Sequence, residues 1–187
     1  MQKANILAVA TIFLGTCSGA QAALRVTAIA AGGQHSLALA SDGTVWFWGP
    51  SPVPVSGLSG VVAITSAYDH NLALKADGTV WEWGNDLTPV QTKGLSGIVA
   101  VAAGRADSLA LKSDGTVWWW GAYCRSGGGT TTSTSTPVQV GGLTGVIAVA
   151  AGQAHCLALK ADGTVWAWGN NWYGQLGDGT VMPDSPG

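Results

Sequence analysis

Three histidines, His35, His70 and His155, are the residues whose type most directly invites a chemical reading. Imidazole is a common zinc ligand and titrates near neutrality. A zinc site, however, sets at least some of its ligands a few residues apart. Here each histidine lies two residues before a Leu-Ala-Leu run, and the third such run has Asp107 in that place. A residue that recurs with a repeat serves the repeat, so no metal is expected. Asp42, Asp77, Asp114 and Asp162 are candidate acids, but each precedes a glycine. Asp-Gly favours a tight two-residue hairpin turn, where Asp tolerates positive φ and bonds its own backbone. Neither a G-x-S-x-G nucleophile elbow nor a G-x-x-x-x-G-K-S/T phosphate loop occurs. Gly127 to Gly129 have no lysine beside them, and Gly174 to Gly179 lack the strand-to-helix setting of a phosphate site. The reading is of a chain with no catalytic residue, no cofactor and no metal.

The elements behind these residues follow from one phrase. Leu-Ala-Leu, two residues, then Asp-Gly-Thr-Val-Trp-x-Trp-Gly runs from Leu37 to Gly49, Leu72 to Gly84, Leu109 to Gly121 and Leu157 to Gly169. A period of roughly 35 to 48 residues means stacked copies of one small unit. In the third copy, Ile98 to Ala103 is an apolar run without helical period, and Ser108 to Leu111 follows as a second short strand. Thr116 to Trp120 is a third, rich in β-branched and aromatic residues. Pro137 to Val140, like Pro52 to Val55 and Pro89 to Gln91, is a fourth whose proline suits an edge. Linkers return through Gly57 to Gly60, Gly94 to Gly97 and Gly142 to Gly145.

The expected fold is therefore all-β, a β-propeller of about four blades, each a four-stranded antiparallel sheet. Its repeat cores are 26–49, 61–84, 98–121 and 146–169, within a propeller region of 23–187. Alternation sends Val45 to one face of its sheet and Trp46 and Trp48 to the other. Apolar groups on both faces imply a sheet covered on both sides. The second tryptophans, Trp48, Trp83, Trp120 and Trp168, are assigned to the interior. The residue between each pair varies (Phe47, Glu82, Trp119, Ala167), so losing Trp119 is expected to cost much less than losing Trp120.

Residues 1–22 read as a secretory signal: Lys3, an apolar stretch from Ile6 to Gly15, and an Ala20-Gln21-Ala22 exit. Thr16 before Cys17 makes a poor lipobox. The expected location is extracytoplasmic, secreted or periplasmic, with no membrane span. An oxidising compartment permits a Cys124–Cys156 bridge, although two unpaired thiols are the favoured reading. With 8 Lys+Arg against 10 Asp+Glu, no basic face for nucleic acid is available.

The pattern Gly152, His155, Leu157-Ala158-Leu159, Asp162-Gly163, Val165, Trp168-Gly169-Asn170 and Tyr173 to Gly179 resembles the regulator of chromosome condensation repeat. That resemblance covers about residues 26 to 180 and implies a propeller, typically of seven blades, in which His35, His70 and His155 are structural. The short linkers after Gly49 and Gly84 look like those of the secreted propeller that inhibits β-lactamases. Four copies, ending within a linker, are expected to be part of a larger ring, with open blade edges favouring self-association. A closed four-blade ring and a two-chain assembly are the alternatives.

Function should then sit where the copies differ. Between the first and second strands stand Gly33-Gln34, Tyr68-Asp69, Arg105-Ala106 and Gln153-Ala154. A second variable set follows the Trp strand: Asn85-Asp86, Tyr123 to Arg125, and Asn170 to Tyr173. The candidate partner-binding residues are Tyr68, Asp69, Arg105, Tyr123, Arg125, Trp172 and Tyr173, because Tyr, Trp and Arg dominate interface hot spots. The favoured reading is a non-enzymatic protein-binding module with an unidentified protein partner. A guanine-nucleotide exchange factor and a β-lactamase-type inhibitor are the alternatives that the resemblance implies. Thr130 to Thr136 reads as a flexible loop with a composition suited to O-glycosylation.

Overall fold

In the computed structural model, described over residues 25–122 and 133–181, all regular structure is strand. The signal segment, Tyr123, Cys124 and Arg125 lie outside the described residues. The first blade comprises β1 (Val26–Ala31), β2 (Ser36–Ala40), β3 (Val45–Trp48) and β4 (Pro52–Pro54), paired in that order. The second is β5 (Val61–Ala67), β6 (His70–Lys75), β7 (Val80–Trp83) and β8 (Val90–Gln91). The third is β9 (Ile98–Ala103), β10 (Asp107–Lys112), β11 (Val117–Gly121) and β12 (Thr134–Gln139). The fourth has β13 (Val146–Ala151), β14 (His155–Lys160) and β15 (Val165–Gly169). All pairings are antiparallel. Residues 134–136, read from the sequence as flexible loop, belong to β12. They pair there with the end of β11, through Gly121 opposite Thr134.

The Asp-Gly hairpins carry three-residue loops rather than the two-residue turns the dipeptide predicts. Ala40 N–H donates to the Thr44 carbonyl, and Gly43 N–H donates to the Ala40 carbonyl. Gly43 alone takes the positive φ, at 80°, which is the type I turn plus bulge geometry. Asp42 instead accepts bonds from the Thr44 N–H at 3.0 Å and the Thr44 hydroxyl at 2.7 Å. The same pair of bonds recurs at Asp77, Asp114 and Asp162. The Thr hydroxyl beside each of those three carboxyls holds it below the ordinary range. These carboxylates are turn locks.

Blades stack face to face. Leu37, Leu39, Val45 and Phe47 of the first pack against Ala73 and Trp83 of the second. Leu72, Leu74 and Val80 meet Ala110 and Trp120 of the third. Leu109, Leu111, Val117 and Trp119 meet Cys156, Ala158 and Trp168 of the fourth. The second tryptophan of a pair thus faces the preceding blade, while the residue between the two tryptophans faces the following one. That corrects the expectation for Trp119, which is as buried as Trp120. At Glu82 the same position accepts a bond from the Trp120 indole N–H at 2.7 Å. The first tryptophan of each later pair sits nearer the rim, with Lys75, Lys112 and Lys160 over Trp81, Trp118 and Trp166.

First strands of neighbouring blades touch (β1 with β5, β5 with β9, β9 with β13), so they form the inner wall of the arc. The arc stays open. Val165 is 64% exposed on the outward face of the fourth blade, whereas the equivalent Val117 is fully buried. Ile29, at the other end, is also exposed. This excludes the closed four-blade ring weighed as an alternative.

Candidate functional site

Two junctions between blades are tied by the residue at the entry to the second strand. His35 Nε2 lies 2.6 Å from Asn71 Oδ1, which also accepts a bond from the Ser66 hydroxyl at 2.7 Å. The Asn71 amide donates to the Trp83 carbonyl. One junction on, His70 Nε2 lies 2.6 Å from the Ser108 hydroxyl. At the third, Asp107 stands in the histidine's repeat position, and Cys156, in the position of Asn71 and Ser108, is disulfide-bonded. Gly32 and Gly152 make room for this arrangement, because a Cβ at either would strike the imidazole of His35 or His155. His35 and His70 sit at two separate junctions and His155 on the last blade, and among the described residues no His, Cys, Asp and Glu cluster could hold a metal.

Burial pushes the His70 imidazole below its ordinary value of 6.5, while the Glu82 and Asp107 carboxylates pull the other way. A proton is thus refused by the folded state and accepted by the unfolded one. The stability contribution is complete above pH 6.5 and is lost as pH falls below it toward the lower folded value. Melting temperature should drop as pH is lowered through this window. His70→Gln, which keeps a donor for Ser108, should flatten that dependence.

The variable residues lie at the end of the blades opposite the Asp-Gly hairpins. Both sets share that end, as the antiparallel strand order requires. The loop after each Trp strand is bonded to the loop before the second strand: Ala122 N–H to the Ala106 carbonyl, Asn170 N–H to the Ala154 carbonyl, and the Asn85 amide to Asp69 Oδ1. Tyr68, Arg105 and Gln153 converge there. With Ala67, Ala151 and Gly152 they line a cleft of about 250 Å³ spanning three blades. The Arg105 guanidinium stacks 4.6 Å from the centroid of the Tyr68 ring. Tyr68 holds φ at 55°, in the left-handed region that costs an L-residue about 1 kcal/mol or more. Its carbonyl accepts the Gly33 N–H at 2.8 Å. A Cβ on Gly33 would come within 3.1 Å of the Tyr68 Cα, so glycine is what lets the first blade close on this loop.

Asp69 is exposed and engaged with Asn85. Trp172 and Tyr173 are exposed on the loop after β15, and neither lines the cleft. That loop is built around buried Asn171, whose amide reaches the Thr180 carbonyl and Asp178 while its oxygen accepts the Leu176 N–H. Gln153 was missed as a site residue. Its place in the variable loop set marked it, but its chemistry alone did not.

The family model described as Regulator of chromosome condensation (RCC1) repeat matches residues 26–49 and 146–175, and a second of the same description matches 114–159. Among solved structures, human WBSCR16 superposes with a TM-score of 0.74 at 24% identity, covering 84% of this chain and 50% of that one. Prp20p from Saccharomyces cerevisiae, studied for its binding to Gsp1p and histones, gives 0.72 at 22%, covering 84% and 48%. The computationally designed Ika4 protein gives 0.56 at 23%, covering 82% and 95%. The chain spans about half the length of the first two, and the likeness is one of fold. No curated protein matches the sequence.

Proposed function

We propose that this β-propeller arc, whose residues 26–49 and 114–175 match regulator of chromosome condensation repeats, is an exported, non-enzymatic protein-binding module. Its binding surface is the loop end of the blades, centred on Tyr68 and Arg105. The observation that carries this reading is the strained, stacked Tyr68–Arg105 pair in a cleft shared by three blades. Backbone strain persists only where surrounding structure enforces it, and it concentrates at functional loops. Rigid scaffolds present recognition residues on such loops. Support for a protein partner also comes from Prp20p, a propeller of similar fold that binds proteins. The residues that recur in every copy are spent on turns and junctions.

The test is capture of partners from the extracytoplasmic proteome with wild-type protein, Tyr68→Gly and Arg105→Ala. Glycine relieves the backbone at position 68 while removing the ring, so its stability should match or slightly exceed wild type. Captured partners should be lost from both variants, since buried Tyr or Arg anchors cost more than about 2 kcal/mol when truncated. Partners retained by both well-folded variants would exclude this surface and move attention to Trp172 and Tyr173.

A further inference from the structure

We infer that the Tyr68–Arg105 cleft is a receptor for one carboxylate side chain, a glutamate or aspartate displayed by the bound protein. This rests on the binding surface proposed above and names the group that the surface recognises. The Arg105 guanidinium carbon lies over the Tyr68 ring, and a guanidinium on an aromatic face keeps N–H donors for a ligand. Among the described residues, ion pairs join Lys112 to Asp114 and Lys160 to Asp162, and none involves Arg105. Asp69, beside Tyr68 in the same loop, has its Oδ1 engaged by the Asn85 amide. A planar fork fits a carboxylate through two parallel bonds. Gln153, on the opposite wall, adds an amide donor, and Ala67 and Ala151 give apolar lining for the methylenes of an acidic side chain. Among the described residues Arg105 is the sole cation lining the cleft, which matches a monoanion rather than a doubly charged phosphate.

The experiment uses the full chain and three blocked peptides: acetyl-Gly-Glu-Gly-amide, acetyl-Gly-Gln-Gly-amide and acetyl-Gly-Gly with a free C-terminal carboxylate. The readout is the Arg105 Nε–H resonance in nuclear magnetic resonance titrations. The Glu peptide should shift it saturably, and the Gln peptide should leave it in place. The free-carboxylate peptide separates a side-chain ligand from a chain terminus, and it should bind more weakly than the Glu peptide. Resonances of residues 67 and 151 should move with the Glu peptide in wild type and stay still in Arg105→Gln. Equal responses to Glu and Gln peptides, an undiminished response in Arg105→Gln, or stronger binding of inorganic phosphate than of the Glu peptide would each overturn the assignment. Loss of captured protein from Tyr68→Gly alongside equal peptide responses would keep the binding surface and discard the carboxylate.

Discussion

Replacing Trp119 with Ala is expected to destabilise the protein by about 3–5 kcal/mol, as much as replacing Trp120. The two indoles point in opposite directions from β11 and are 5% and 3% exposed. Trp120 is packed against the second blade and donates its N–H to Glu82. Trp119 is packed with Leu109, Leu111 and Val117 against Cys156, Ala158 and Trp168 of the fourth blade. Either truncation opens a cavity at an interface between blades, and close-packed surroundings relax into such a hole only partly. Chemical denaturation of Trp119→Ala and Trp120→Ala, followed by circular dichroism, gives the comparison. A cost at Trp119 well below that at Trp120 would mean that the third and fourth blades are not joined as described.

The sequence led to the opposite expectation for Trp119 for a definable reason. Variation between copies suggests a position free to vary. At an interface between unlike blades it marks pairwise fitting instead. Phe47 packs with Ala73 and Trp83 of the second blade, Glu82 accepts from Trp120, and Trp119 fills the space before Trp168. Blade count and strand order were legible, because the Leu-Ala-Leu and Val-Trp-x-Trp runs alternate strictly and glycines punctuate them. The loop geometry at Asp42 was not, since Asp-Gly suits both two- and three-residue hairpins and the choice depends on how Ala40 and Thr44 pair. Tyr68 and Arg105 were legible as departures from the repeat. Their stacking was not, because residues 68 and 105 meet only once two blades pack side by side.

Leu111→Ala should cost about 2–5 kcal/mol, and Leu159→Ala, at the same place in the next copy, less than half as much. The two leucines are identical in sequence context, each followed by Lys and an Asp-Gly hairpin. They differ in what covers them. Leu111 is 3% exposed beneath the fourth blade, whereas Leu159 is 36% exposed on that blade's open face. Val165→Ala, on the same face, should change stability by no more than about 0.5 kcal/mol, because a truncation already in water forfeits little burial. Denaturation midpoints at several protein concentrations check both statements. Equal costs at Leu111 and Leu159 that fall on dilution would show the face to be covered by a second copy in solution. Unequal costs at every concentration are the expected result, and they would establish the end of the arc as a free edge of the folded chain.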